Sequence, residues 1–108
     1  MIEAKPVTGF GLGTWATIYP TFQRVDPGLY VDHAHNDWLE WAAEGGLPFA
    51  GLMLVLMGWC AIRAFRQPEW LGLVAVFVHC LLDFPLHKPI LAAVQFALIG
   101  ILARSGRR

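Results

Sequence analysis

Charge is scarce in this chain and cysteine scarcer still: of 108 residues, 15% are Asp, Glu, Lys or Arg, and two are Cys. A disordered chain combines low hydrophobicity with high charge, and 56% hydrophobic residues exclude it. Eight basic residues against eight acidic ones leave no surplus to neutralise phosphates, which argues against a nucleic-acid binder. Two cysteines inside apolar runs, Cys60 and Cys80, make no disulfide framework and read as ordinary packing. With a mean hydropathy of +0.51, what remains is a membrane protein or a piece of one.

The few charges are unevenly placed. Residues 1–45 hold two basic side chains, Lys5 and Arg24, against six acidic ones, a net of −4, and the remainder carries +4. The run GLPFAGLMLVLMGWCAIRAF, residues 46–65, is 20 residues long with Arg63 its one charge. At 1.5 Å per residue it matches a hydrocarbon core of about 30 Å. Residues 70–86 and 89–103 are shorter apolar segments, joined at Asp83-Phe84-Pro85-Leu86-His87-Lys88-Pro89, where two prolines and the polar residues break a helix. The expected fold is all-α: about three transmembrane helices (46–65, 70–86, 89–103) after a loop segment, residues 1–45. A re-entrant hairpin is the alternative for the last two. Arg63, Arg66, Arg104, Arg107 and Arg108 place the loop after the first span and the C-terminus in the cytoplasm, which leaves residues 1–45 outside, in a bacterium the periplasm.

Within residues 1–45, Gly9, Gly11 and Gly13 alternate. No strand precedes them and no Lys-Ser/Thr follows, so a tight backbone turn is the reading rather than a nucleotide loop. Asp37 followed by Glu40 fits a capping box, and Gly45-Gly46 a helix stop, giving a short interfacial helix over 38–44. Trp38, Leu39, Trp41 and Ala42 would share one side of it, and His35 and Asn36 would precede its N-terminus, where free N–H groups favour an anion. His33, His35 and Asp37 spell HxHxD, the opening of a binuclear zinc hydrolase motif. Trp38 stands where that motif needs His, so a metal-dependent membrane hydrolase is an alternative and no metal ligand is assigned. A histidine in this cluster also suits general-base work. His79 and Asp83, at i and i+4, share a helix face and read as a buried hydrogen bond ordering the bundle, or else as a functional pair.

The stretch HNDWLEWAAEGGLP, with PVTGFGLGTW and YP before it, resembles the large periplasmic loop of the O-antigen ligase family, which includes O-antigen polymerases and oligosaccharyltransferases. The family pattern is His-Asn (or Ser, Gln), nine residues, then Gly-x-x-Gly opening a transmembrane helix. Here His35-Asn36 precede nine residues, Asp37 to Gly45, and then Gly46-Leu47-Pro48-Phe49, with Phe49 replacing the last glycine and Gly51 two residues on. VHCLLDFPLHKPILAAVQFALIGIL resembles the family's closing helix pair with its aspartate-phenylalanine-proline turn.

The resemblance implies an inner-membrane enzyme that transfers a glycan from undecaprenyl diphosphate to an acceptor hydroxyl, lipid A–core for a ligase, without a cofactor. His35 maps onto the family's catalytic base. Arg24, His33, Asn36, Glu44 and Lys88 are the candidates for substrate contact, with Glu44 a reserve base and Lys88 placed to meet lipid or substrate phosphate. Family members have about a dozen spans, so the expectation is a C-terminal fragment, inactive alone. A small non-catalytic membrane protein is the further alternative.

Overall fold

The computed structural model describes residues 1–25, 28 and 30–105. Asp26, Arg107 and Arg108, which count in the charge distribution, lie outside the described residues. Five α-helices follow in order: α1 (Trp15–Ile18), α2 (Asp37–Glu44), α3 (Gly46–Arg66), α4 (Leu71–His79) and α5 (Pro89–Ser105). Single 3-10 turns occupy Tyr19–Thr21, Pro68–Trp70 and Pro85–His87, and there is no strand among the described residues.

Helix α3 realises the long apolar run. Its 21 residues make it the one helix among the described residues long and apolar enough to cross a membrane. Pro48 sits in its first turn, where a missing N–H costs nothing, and Arg63 and Arg66 sit in the last, where cations suit the helix dipole. Helices α4 and α5 pack beside it around Met53, Cys60, Leu73, Phe77, Ile99 and Leu102. Buried Gln95 donates its Nε2 to the Leu73 carbonyl at 2.9 Å, pinning α5 to α4.

The second apolar segment differs from expectation. Helix α4 stops at His79 rather than at Leu86, and nine residues rise only about 14 Å. The cause is a competition for its carbonyls. The Asp37 N–H takes the Cys80 oxygen at 2.9 Å and the Asp83 oxygen at 3.3 Å. Asn36 Nδ2 takes the Leu81 oxygen at 2.9 Å, and the Trp38 indole takes that of Phe77 at 3.0 Å. The N-terminus of α2 thus abuts the C-terminus of α4, donors against acceptors, and the chain leaves the helix there.

Helix α2 starts one residue earlier than expected, and its cap is Asn36 rather than Asp37. Asn36 has extended φ/ψ, and its side-chain oxygen accepts from the Leu39 N–H at 3.0 Å. The N–H groups of Asp37 and Leu39 therefore already have acceptors within the protein. The side expected to hold Trp38, Leu39, Trp41 and Ala42 together is split. Asp37, Glu40 and Glu44 are buried along with Trp41, Ala42 and Ala43, whereas Leu39 is exposed.

The alternating glycines wrap the α2–α3 junction. Phe10 and Gly11 donate to the Ala43 and Glu44 carbonyls at 3.2 and 2.8 Å, and Leu47 donates to Pro6 at 2.7 Å. Gly9 has φ +62°, and a Cβ there would lie 2.1 Å from the Glu44 carbonyl oxygen. Gly9→Ala is therefore expected to destabilise the fold by more than about 1–3 kcal/mol, since left-handed strain and a backbone clash add. A fall in the thermal unfolding midpoint of the detergent-solubilised protein, with Gly13→Ala (open space around its Cβ) falling less, checks this.

Candidate active site

Asp37, Glu40 and Glu44 stand at i, i+3 and i+7, one face of α2, and each is at most 1% exposed. A buried carboxylate survives only when its oxygens find donors, and here all six do. Glu44 takes the Trp15 N–H at 2.7 Å and the Gly13 N–H at 2.8 Å. Glu40 takes His33 Nδ1 at 2.8 Å and the Ala34 N–H at 2.9 Å. Asp37 takes the Leu86 N–H at 2.9 Å and His87 Nδ1.

His87 is the centre of this cluster. One ring nitrogen meets Asp37, while Nε2 lies 3.4 Å from Glu40 and 3.7 Å from Glu44. Burial works against its charge, but Asp37, Glu44 and the charge of Glu40 outweigh that and raise its pKa from the ordinary 6.5 to about 10. Burial likewise pushes the Glu44 carboxyl up. The His87 ring and the two backbone donors overcome this, and the net shift is downward from 4.5. Glu40, Glu44 and His87 bring ligand-type atoms within 4.8 Å of one another. Every carboxylate oxygen already accepts from a donor within the protein, and His87, protonated, has no lone pair to offer an ion, so the cluster does not fit a metal centre. The HxHxD residues diverge as well: His33 goes to Glu40, Asp37 to His87, and His35 toward Asp83.

On the open side of the cluster, side chains gather around Phe84. His33 stacks on its face, centroids 4.1 Å apart at 18°. His35 meets it at 5.0 Å and 68°, and Lys88 Nζ lies 5.1 Å over the ring. His35 has φ +51°, the left-handed region uncommon for a residue with a Cβ. That turn projects its ring outward from the α2 cap, 70% exposed, with Nδ1 3.9 Å from Asp83 Oδ1. Asp83 is 38% exposed and has its other oxygen 3.8 Å from His79 Nε2. The His79–Asp83 pair is therefore an exposed one, not the buried hydrogen bond expected from spacing. His33, His35 and Lys88 thus come together. Asn36 acts as the helix cap, Glu44 anchors the glycine loop, and Arg24 is exposed in the loop after the first 3-10 turn, not among the groups around Phe84.

Sequence reasoning left out Asp37, Glu40 and His87 as a buried cluster, and Phe84 as the ring that collects the histidines. The helical spacing of the three acids was a usable signal, because three acids on one face of a helix so poor in other charge need a partner.

The pH dependence of stability tests the cluster. A raised folded pKa means His87 stabilises fully below about 6.5, progressively less above it, and not at all once pH passes about 10. Glu44, shifted downward, contributes above its unfolded value near 4.5 and loses that contribution in acid. Unfolding midpoints are expected to peak between these limits, and His87→Gln should flatten the alkaline limb while lowering the midpoint throughout. No family model matches the chain, and neither a curated protein nor a solved structure does.

Proposed function

We propose that this chain belongs to an integral membrane glycosyltransferase of the O-antigen ligase type, acting on a glycan linked to undecaprenyl diphosphate. The observation that carries the reading is His35: exposed, held at positive φ, and facing Asp83, in the His-Asn–nine-residue–glycine setting that resembles the family's loop. Apolar side chains left exposed along α3 and α5, among them Leu52, Val55, Phe65, Ile90 and Val94, support a membrane setting. In this reading the chain resides in a bacterial inner membrane, with residues 1–45 periplasmic and its C-terminus cytoplasmic. Helix α3 spans the bilayer, and α4 and α5 pack against it as a shorter hairpin.

The chemistry is one displacement. The acceptor hydroxyl, on lipid A–core for a ligase or on a sugar for a polymerase, loses its proton to a His35 ring nitrogen as its oxygen attacks the anomeric carbon. The bond to the diphosphate breaks with inversion, and its electron pair leaves on the phosphate. Asp83 steadies the imidazolium that forms, which is the work of a carboxylate behind a catalytic histidine. The reading asks for no cofactor.

In membranes where the protein transfers glycan to its acceptor, followed by the gel mobility of the product, His35→Ala is expected to cut the rate about 10²–10⁴-fold. Asp83→Asn should lower kcat with little change in KM. Undiminished transfer by His35→Ala at normal protein level would refute the reading. Topology has its own check. A cysteine placed at Leu12 should react with a membrane-impermeant thiol reagent in spheroplasts, and one at Ser105 only after the membrane is opened.

A further inference from the structure

Two histidines flank Phe84, and each faces a carboxylate, but the two pairs are built differently. His35 and Asp83 are 3.9 Å apart and both exposed, an open pair. His33 and Glu40 are hydrogen-bonded at 2.8 Å, and Glu40 is 1% exposed with its second oxygen fixed by the Ala34 N–H. A base needs a free nitrogen at the outset and gains its ion pair as it takes a proton. A ring that is to donate from both nitrogens needs a carboxylate hydrogen-bonded from the start, to hold its imidazolium form. His35 fits the first description and His33 the second.

We propose that His33, with Glu40 as its positioning residue, donates a hydrogen bond to the departing diphosphate. The inference rests on the transfer reading above and adds the leaving-group half of the site. The step uses the imidazolium form of His33: Nδ1–H donates to Glu40, and Nε2–H, the second donor of that form, is left for the phosphate oxygen; the side chain is 28% exposed. When the bond from the anomeric carbon to the diphosphate breaks, the electron pair settles on a phosphate oxygen. His33 meets that oxygen with a charge-assisted hydrogen bond, and its proton need not leave the ring. The acceptor's proton goes separately to His35. Lys88 Nζ, 5.1 Å from the centroid of the same Phe84 ring, is a further cation in the neighbourhood. Of the other ionisable neighbours, His87, 5.6 Å from His33 between ring centroids, is held by Asp37 and also lies 3.4 Å from the Glu40 oxygen that His33 uses, and Asp83 lies between His35 and His79.

Inorganic pyrophosphate is the probe, titrated calorimetrically into the full chain in nanodiscs, with ¹⁵N spectra of the histidine rings recorded in parallel. Saturable binding is expected, with the His33 Nε2 resonance shifting on addition. His33→Gln should weaken binding at least tenfold, His35→Gln should leave it within twofold, and Glu40→Gln should weaken it several-fold at unchanged helical circular dichroism. Should Glu40→Gln unfold, the His33 resonance in the unsubstituted protein decides. Absence of saturable binding, an unmoved His33 resonance, or a His33→Gln affinity equal to that of the unsubstituted chain overturns the proposal. The two readings fail separately. Loss of transfer in His35→Ala with pyrophosphate binding indifferent to His33 sinks this proposal alone, whereas His33-dependent binding with full transfer by His35→Ala removes the base assignment and keeps the diphosphate subsite.

Discussion

Three carboxylates withdrawn from water on a single eight-residue helix are the constraint to which the rest of this structure answers. Left unpaired, each would cost several kcal/mol, so the surrounding chain is arranged to bring donors to them. The glycine loop approaches closely enough for the Gly13 and Trp15 amides to reach Glu44. The segment before α2 bends back so that His33 and Ala34 reach Glu40. The Pro85–His87 turn delivers both an amide and an imidazolium to Asp37. Elements far apart in sequence are thereby fixed to α2, and the side chains around Phe84 inherit their positions from that fixation.

The same constraint separates the roles of neighbouring histidines. His33, two residues before His35, faces inward to a carboxylate the fold has already committed, while the left-handed turn at His35 swings the next ring outward. Alternation in an extended segment would point both the same way. The positive φ breaks that alternation and puts one imidazole on each side of the boundary between cluster and surface.

What was legible in the sequence follows from which forces act locally. The apolar run 46–65 announced α3 because length and composition alone suffice, and the Gly45-Gly46 stop and the proline-rich turn before α5 were legible because Gly and Pro act through their own backbone chemistry. The end of α4 was not, since Leu81 and Leu82 continue an apolar helix pattern, and what stops it is donors from α2, some forty residues earlier in the chain. The cap was misplaced by one residue because Asn36 and Asp37 are both good caps, and only the tertiary contact of Asp37 with Leu86 and His87 decides between them. The burial of the acid face of α2 was not legible, because nothing local reveals that His87 waits for the three carboxylates. Of the groups around Phe84, the sequence points to His35 by a resemblance and to His33 by its neighbourhood, whereas the meeting of Asp83 with His35 depends on the tertiary fold and spacing suggests only its pairing with His79.

Helices α2 and α3 are separated by Gly45 alone, and Gly46, at φ +78°, opens the second helix. With so short a joint, α2 has little freedom to lag behind α3. Twenty-one residues rise about 31 Å, close to the ~30 Å of a bilayer's hydrocarbon, and an α3 that spans a bilayer as proposed would meet membranes of other thickness by tilting. Any such tilt is handed directly to α2, and with it to the cap from which His35 projects. In the membrane setting proposed above, lipid chain length would thus be a mechanical input to the geometry around Phe84, acting through a lever whose fulcrum is a single glycine.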